Sequence, residues 1–156
     1  MGKVFKYVAI GIAALLLIGQ LIRPSFTNPP VDPDERLQAS VVVPTDVDAI
    51  LKRSCSDCHT NETAYPWYSK ITPVNWWLKN HIDDGRAELN FSSWGTYTPK
   101  RKAKKLEEIC EQVESRAMPL PSYLWAHGDA ALSADEAKLL CNWATTVRGS
   151  IGQIAQ

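Results

Sequence analysis

Ser54 to Ser69 reads SCSDCHTNETAYPWYS, and its first six residues decide what kind of molecule this is. Cys55 and Cys58 stand three positions apart, and His59 follows the second thiol directly. Three chemistries use cysteines so close together. A dithiol redox site needs only the pair, but its usual setting is a βαβ pattern, which this sequence lacks. A structural zinc site needs four ligands, usually from a second close pair. The other cysteines, Cys110 and Cys141, lie 31 residues apart, so no second pair exists. Covalent haem is the third. Two thiols one helical turn apart reach the two vinyl groups on one edge of a porphyrin and form thioethers. The adjoining imidazole then projects to the iron. Cys-x-x-Cys-His is the signature of that attachment. Cys55 and Cys58 are therefore expected to carry a single haem c, with His59 as its proximal ligand.

A porphyrin is a large, flat, apolar body, and a short chain needs aromatic mass to enclose it. Between Tyr65 and Trp94 the sequence supplies Tyr65, Trp67, Tyr68, Trp76, Trp77, Phe91 and Trp94. Trp67, Tyr68 and Trp77 are expected to wall the cofactor, although aromatics of this kind also build any small core. The Nδ1–H of His59 needs an acceptor, and the carbonyl of Pro66 or Pro73 is a candidate. On the opposite face of the iron, Met118 is the favoured ligand. It sits in the proline-stiffened stretch RAMPLP, Arg116 to Pro121, and Met/His ligation suits electron transfer. His81 and His127 are the rivals. Arg86 is a candidate partner for a haem propionate.

The rest of the chain fits an exported, anchored protein. Val4 to Ile22 is apolar except for Lys6 and Gln20 and would span roughly 28 Å as a helix, close to the hydrocarbon core of a bilayer. Lys3 and Lys6 precede or open this run, which favours an N-inside orientation. A cleaved signal peptide is the rival, but no Ala-x-Ala pattern closes the run. The expectation is a single-pass inner-membrane protein with its C-terminal domain in the periplasm. Residues 1–23 would be the anchor, 24–44 a Pro-rich extended tether, and 45–150 the haem-binding domain. The tether assignment rests on Pro24, Pro29, Pro30 and Pro33 and on the absence of helical periodicity. Hydrophobic content of 45% is ordinary for a globular chain, and a net charge of zero gives no pull toward nucleic acid.

Four helical patterns follow the tether, and no strand of comparable quality appears, so the fold class is all-α. Thr45–Asp48 is a capping-box-like start, and Val47, Ile50, Leu51, Cys55 and Cys58 keep helical spacing on one buried face. Thr72 and Pro73 open a second helix that stops at Gly85 and buries Val74, Trp77, Leu78, His81 and Ile82. Thr98 and Pro99 open a third, burying Ala103, Leu106, Ile109, Cys110 and Val113. Ser133 and Glu136 form a capping box for a fourth, with Ala137, Leu140, Cys141 and Ala144 inside. Cys110 and Cys141 either form a disulfide between the last two helices or remain buried thiols. Lys100, Arg101, Lys102, Lys104 and Lys105 crowd the start of the third helix, where the helix dipole disfavours them. They make either a solvated face or a docking patch for an acidic redox partner or anionic headgroups.

The segments QLIRPSFTNPPV, CSDCHTNETAYPWYSKITPVNWWL, GRAELNFSSW, AMPLPSY and LLCNWA together resemble the bacterial haem-binding-domain family of membrane-anchored, single-haem c-type cytochromes. The resemblance runs from the anchor through the last helix. It implies covalent haem on Cys55 and Cys58, His59 proximal and Met118 distal. It also implies a cytochrome c-like all-α domain on the periplasmic side. The function expected is single-electron transfer with a redox partner protein, and no catalytic acid–base pair stands out. A haem-based gas or redox sensor, or a peroxidase-like enzyme with an open or labile sixth ligand, is the alternative.

Overall fold

The computed structural model describes residues 2–154, and among them every regular element is helical. The first helix, α1 (Gly2–Gly19), is exposed from Gly2 to Ile18, and Gly19 is its first buried residue. It meets the rest of the chain through Gln20, whose side chain donates to the Thr72 carbonyl (2.9 Å) and accepts from the Thr72 N–H (3.1 Å).

Residues 24–44 are not the free tether that their composition suggests. They form a strap laid on the domain. Asn28 donates to the Thr63 carbonyl, the Phe26 ring meets Tyr65 edge-on, and Asn61 donates to the Pro30 carbonyl. A short 3-10 turn over Pro33–Glu35 and a helical turn over Leu37–Ser40 follow, and Leu37 is completely buried. Proline removes N–H donors but leaves carbonyls free to accept, so side chains of the domain hold the strap and Leu37 pins it.

Helix α2 (Thr45–Ser54) buries Val47, Ile50 and Leu51 as the spacing predicts. Its start differs: Pro44 is the N-cap and makes no side-chain cap bond, while the Asp46 carboxylate accepts from the Val47 N–H. It also stops short of the expected run through Cys58. Cys55 leaves helical geometry (φ −127°, ψ −33°), and a single new turn, α3 (Ser56–His59), begins. The Ser56 hydroxyl donates to the Leu51 carbonyl, the kind of local bond that competes with helix continuation.

Helix α4 (Val74–Glu88) starts with Pro73 as N-cap and runs straight through Gly85. Only part of its expected stripe is inside: Leu78 and Ile82 are buried, whereas Val74 and Trp77 are exposed. Helix α5 (Pro99–Glu114) carries the expected Thr98 cap, and α6 (Ala134–Ile154) the expected box between Ser133 and Glu136. These two helices make the most extensive packing contact of the fold. Leu106, Ile109 and Val113 meet Leu140, Trp143 and Ala144 in one core. Full burial of each large side chain contributes about 1.5–3 kcal/mol. A disulfide joins Cys110 to Cys141 across the seam, with Cα atoms 4.7 Å apart. The basic run at the head of α5 is largely absorbed: Arg101 lies over the Tyr97 ring, Lys104 pairs with Glu108, and buried Lys105 pairs with Glu88 and Glu108.

Candidate haem-binding site

The site is built on the one turn of α3. The N–H groups of Cys58 and His59 both donate to the Cys55 carbonyl (3.3 and 3.0 Å), so both thiols and the imidazole belong to a single turn. Helix α4 lies directly behind it. At Gly85 the backbones come so close that an added Cβ would sit 2.8 Å from the Cys58 carbonyl oxygen. That approach brings the Gly85 and Leu89 carbonyls to 3.0 and 2.9 Å from His59 Nδ1. Two acceptors fix the tautomer: Nδ1 carries the proton and Nε2 keeps its lone pair. The prolines expected to do this, Pro66 and Pro73, do not. Burial holds the His59 pKa below its ordinary value, only partly offset by the bonds to Leu89 and Gly85. The imidazole is therefore neutral at physiological pH.

Cys55 and Cys58 are free thiols. Burial pushes Cys55 up to about 12, aided by the neighbouring Cys58, and pushes Cys58 up to about 11, aided by Asp57. A dithiol exchange site needs the opposite shift.

Two spaces open from this turn. One, of about 260 Å³, is lined by Cys55, Cys58, His59, His81, Met118 and Tyr123. The other, of about 430 Å³, is mostly apolar and lies between Cys55, His59, Phe91, Ile109, Met118 and Leu140. Cys55, His59 and Met118 border both, as does Ser54, whose buried hydroxyl has no partner among the described residues. A thiol pair, an imidazole with a free nitrogen, a thioether and an orphaned hydroxyl around apolar space fit a haem. A larger cavity of about 590 Å³ lies between α5, α6 and the loop after α5 and reaches Met118 from behind. The cysteine on its wall, Cys141, is tied in the disulfide and has no free thiol to offer.

The family model described as "Haem-binding domain" matches residues 14–146. The chain belongs to the haem-binding-domain family. No curated protein and no solved structure matches it.

The expected site residues fall into two groups, those on the walls of these spaces and those away from them. Cys55, Cys58, His59 and Met118 converge. Met118 is brought in by Arg116, which takes a left-handed conformation (φ 59°) after α5, and by its own N–H, which donates to the Gln112 carbonyl. His81 lines one of the two spaces, with Nδ1 bonded to the Trp77 carbonyl. His127 lines neither space: its Nε2 meets the Tyr68 hydroxyl, and its ring stacks on Tyr123. Trp67, Tyr68, Trp77 and Arg86 are also absent from the walls. Trp67 and Trp77 point outward, 75% and 44% exposed. Arg86 spends its guanidinium on the Thr60 carbonyl, Asn28 and Thr63, tying the strap to the loop after α3 rather than meeting a propionate.

Other residues stand on the walls instead. Lys105 and Glu108 supply a charged pair on the wall of the larger space. Tyr123 donates to Asp57 (2.8 Å), linking the segment after Met118 to α3. Burial and then the Asp57 carboxylate raise the Tyr123 pKa, so the phenol stays protonated as the donor. The sequence offers Gly85 only as a helix stop, whereas in the structure the approach of the Cys58 backbone is the packing reason for a glycine inside α4. The Leu89 carbonyl had no signal in the sequence.

Proposed function

We propose that this protein is a membrane-tethered periplasmic monohaem c-type cytochrome that carries single electrons. The observation that carries the reading is the α3 turn, which presents Cys55, Cys58 and a tautomer-fixed His59 to a cavity that Met118 also borders. Cys55 and Cys58 are the attachment thiols, His59 Nε2 the proximal ligand and Met118 Sδ the distal one. Haem supplies one-electron exchange at iron. The chain supplies a neutral imidazole held by two carbonyls and a thioether on a loop braced by α5. Phe91, Ile109 and Leu140 give the larger space an apolar wall. Lys3, Lys6 and α1 support an N-inside anchor, and the partner is a redox protein rather than nucleic acid.

One observation favours a second reading. His81 reaches the smaller space with Nδ1 committed to the Trp77 carbonyl, leaving Nε2 as the nitrogen with a lone pair. That is the arrangement a sensor or peroxidase-like site would use with Met118 released.

The test is to export the full chain with haem-attachment machinery and record oxidised and reduced spectra with and without carbon monoxide. A six-coordinate low-spin iron with a Met–ferric charge-transfer band, inert to carbon monoxide, supports the carrier. Met118→Ala should then bind carbon monoxide promptly. A high-spin ferric spectrum or immediate carbon monoxide binding in the unsubstituted protein moves the reading to sensor or enzyme. Absence of covalent haem overturns it altogether.

A further inference from the structure

The joint between α1 and the domain is short and tightly bonded. Gly19 is buried where an added Cβ would stand 3.3 Å from the Thr72 side chain and 3.8 Å from the Trp76 ring. Gln20 bonds both backbone groups of Thr72, and the Trp76 indole donates to the Ile22 carbonyl (2.9 Å). The start of α4 is thereby fixed at the level where α1 ends. Around this joint the surface is apolar and uncovered. Ile71, Val74, Trp76 and Trp77 are 42%, 39%, 40% and 44% exposed, continuous with Leu21 and Ile22 at 84% and 65%. Tryptophan has an apolar body and one polar N–H, which suits it to the boundary between headgroups and acyl chains. Arg23 and Lys70 are exposed beside the patch, and neither has an acidic partner among the described residues.

We propose that the face formed by Ile71, Val74, Trp76 and Trp77 rests in the outer boundary of the bilayer that α1 crosses, with Arg23 and Lys70 against lipid phosphates. This rests on the reading of α1 as a membrane anchor. Continuity with α1 commits the occupant to lipid, because the bonded joint leaves no length of chain to lift the patch away. The arrangement has a consequence for the haem site. Trp77 packs on His81 with ring centroids 4.2 Å apart, and His81 lines the smaller space beside Cys58. The smaller space is therefore linked through His81 to the face placed at the membrane.

The test places the photo-crosslinker p-benzoylphenylalanine, one position at a time, at Leu15, Ile71, Val74 and Thr145 of the full haem-loaded chain. The chain is reconstituted in phosphatidylcholine–phosphatidylglycerol vesicles, and lipid adducts are read by mass spectrometry on variants that retain the haem spectrum. Adducts at Leu15, Ile71 and Val74, at least tenfold above Thr145, are expected. Adducts at Leu15 alone overturn the proposal and leave the anchor standing. A Leu15 position without adducts overturns the anchor reading itself. Crosslinks from Ile71 and Val74 to a second copy of the chain instead of to lipid also overturn the proposal.

Discussion

Replacing Gly85 by alanine separates two opposed effects whose sizes can be set from the structure. In the interior of a helix alanine is favoured over glycine by about 1 kcal/mol, so propensity alone makes Gly85→Ala stabilising. The added Cβ, however, would lie 2.8 Å from the Cys58 carbonyl oxygen, 3.1 Å from its Cβ and 3.3 Å from its carbonyl carbon. Two of these atoms are backbone, so no rotamer change relieves the contact. Either α3 or α4 must move, and overpacking of this kind costs about 1–3 kcal/mol. The same movement stretches the bond from His59 Nδ1 to the Gly85 carbonyl, now 3.0 Å. The expected net effect is a destabilisation of about 1 kcal/mol, accompanied by a change in the spectrum of the bound haem. Denaturant unfolding of the detergent-solubilised haem protein, followed by tryptophan fluorescence, measures the first, and absorption the second. Gly149→Ala is the control, since a Cβ there meets nothing within 4 Å and lies in a helix. It should stabilise by up to about 1 kcal/mol. If Gly85→Ala stabilises as much as Gly149→Ala and leaves the spectrum unchanged, the close approach of α3 and α4 is not what positions His59.

Three further outcomes are expected. Removing the disulfide with paired Cys110→Ser and Cys141→Ser substitutions should cost about 3–4 kcal/mol by chain entropy, given a loop of 31 residues, and appear as a lower denaturation midpoint. Tyr123→Phe should cost about 1.5 kcal/mol because the Asp57 carboxylate loses a donor, and a double-mutant cycle with Asp57→Asn should show non-additivity above about 0.5 kcal/mol. Glu136 is held down to about 2, first by the Ser133 N–H and then by Arg53. A depressed carboxylate contributes stability above its unfolded pKa, and that contribution is lost as pH falls from about 4.5 toward about 2. Glu136→Gln keeps the box but loses the Arg53 pair. It should therefore lower stability at pH 7 by about 0.5 kcal/mol and flatten the acid limb of the unfolding curve, and equal acid sensitivity in both proteins would refute the assignment.

The Cys-x-x-Cys-His cluster and the helical content were legible because both are written in side-chain type and spacing. The helix starts at Thr98 and Ser133 were legible for the same reason: a hydroxyl reaches an orphan N–H only from the N-cap. Three features were not. The end of α2 depends on a break at Cys55 that leaves its hydrophobic period intact, so the pattern runs on where the helix does not. Prolines disguised the strap, since composition records missing donors but not the carbonyls and single leucine that hold it down. The aromatics after the motif were assigned to the haem on bulk, yet Trp67, Trp76 and Trp77 face outward. Bulk measures how much surface a residue can bury and says nothing about what covers it.

That outward placement links the two ends of the proposal. Helix α4 serves three neighbours at once. Through Leu78 and Ile82 it packs inward, and through Gly85 it abuts α3 and offers the carbonyl that orients His59. Through Trp76 and the Gln20–Thr72 joint it holds the end of α1. Helix α1 therefore connects to the His59 side of the site through one element, α4. Met118 belongs to the other half of the site, braced by α5 and by its disulfide to α6. Between the halves run the Tyr123–Asp57 bond and the shared apolar wall. His59 is thus joined to the end of α1 through a single helix, α4, whereas Met118 is held from α5.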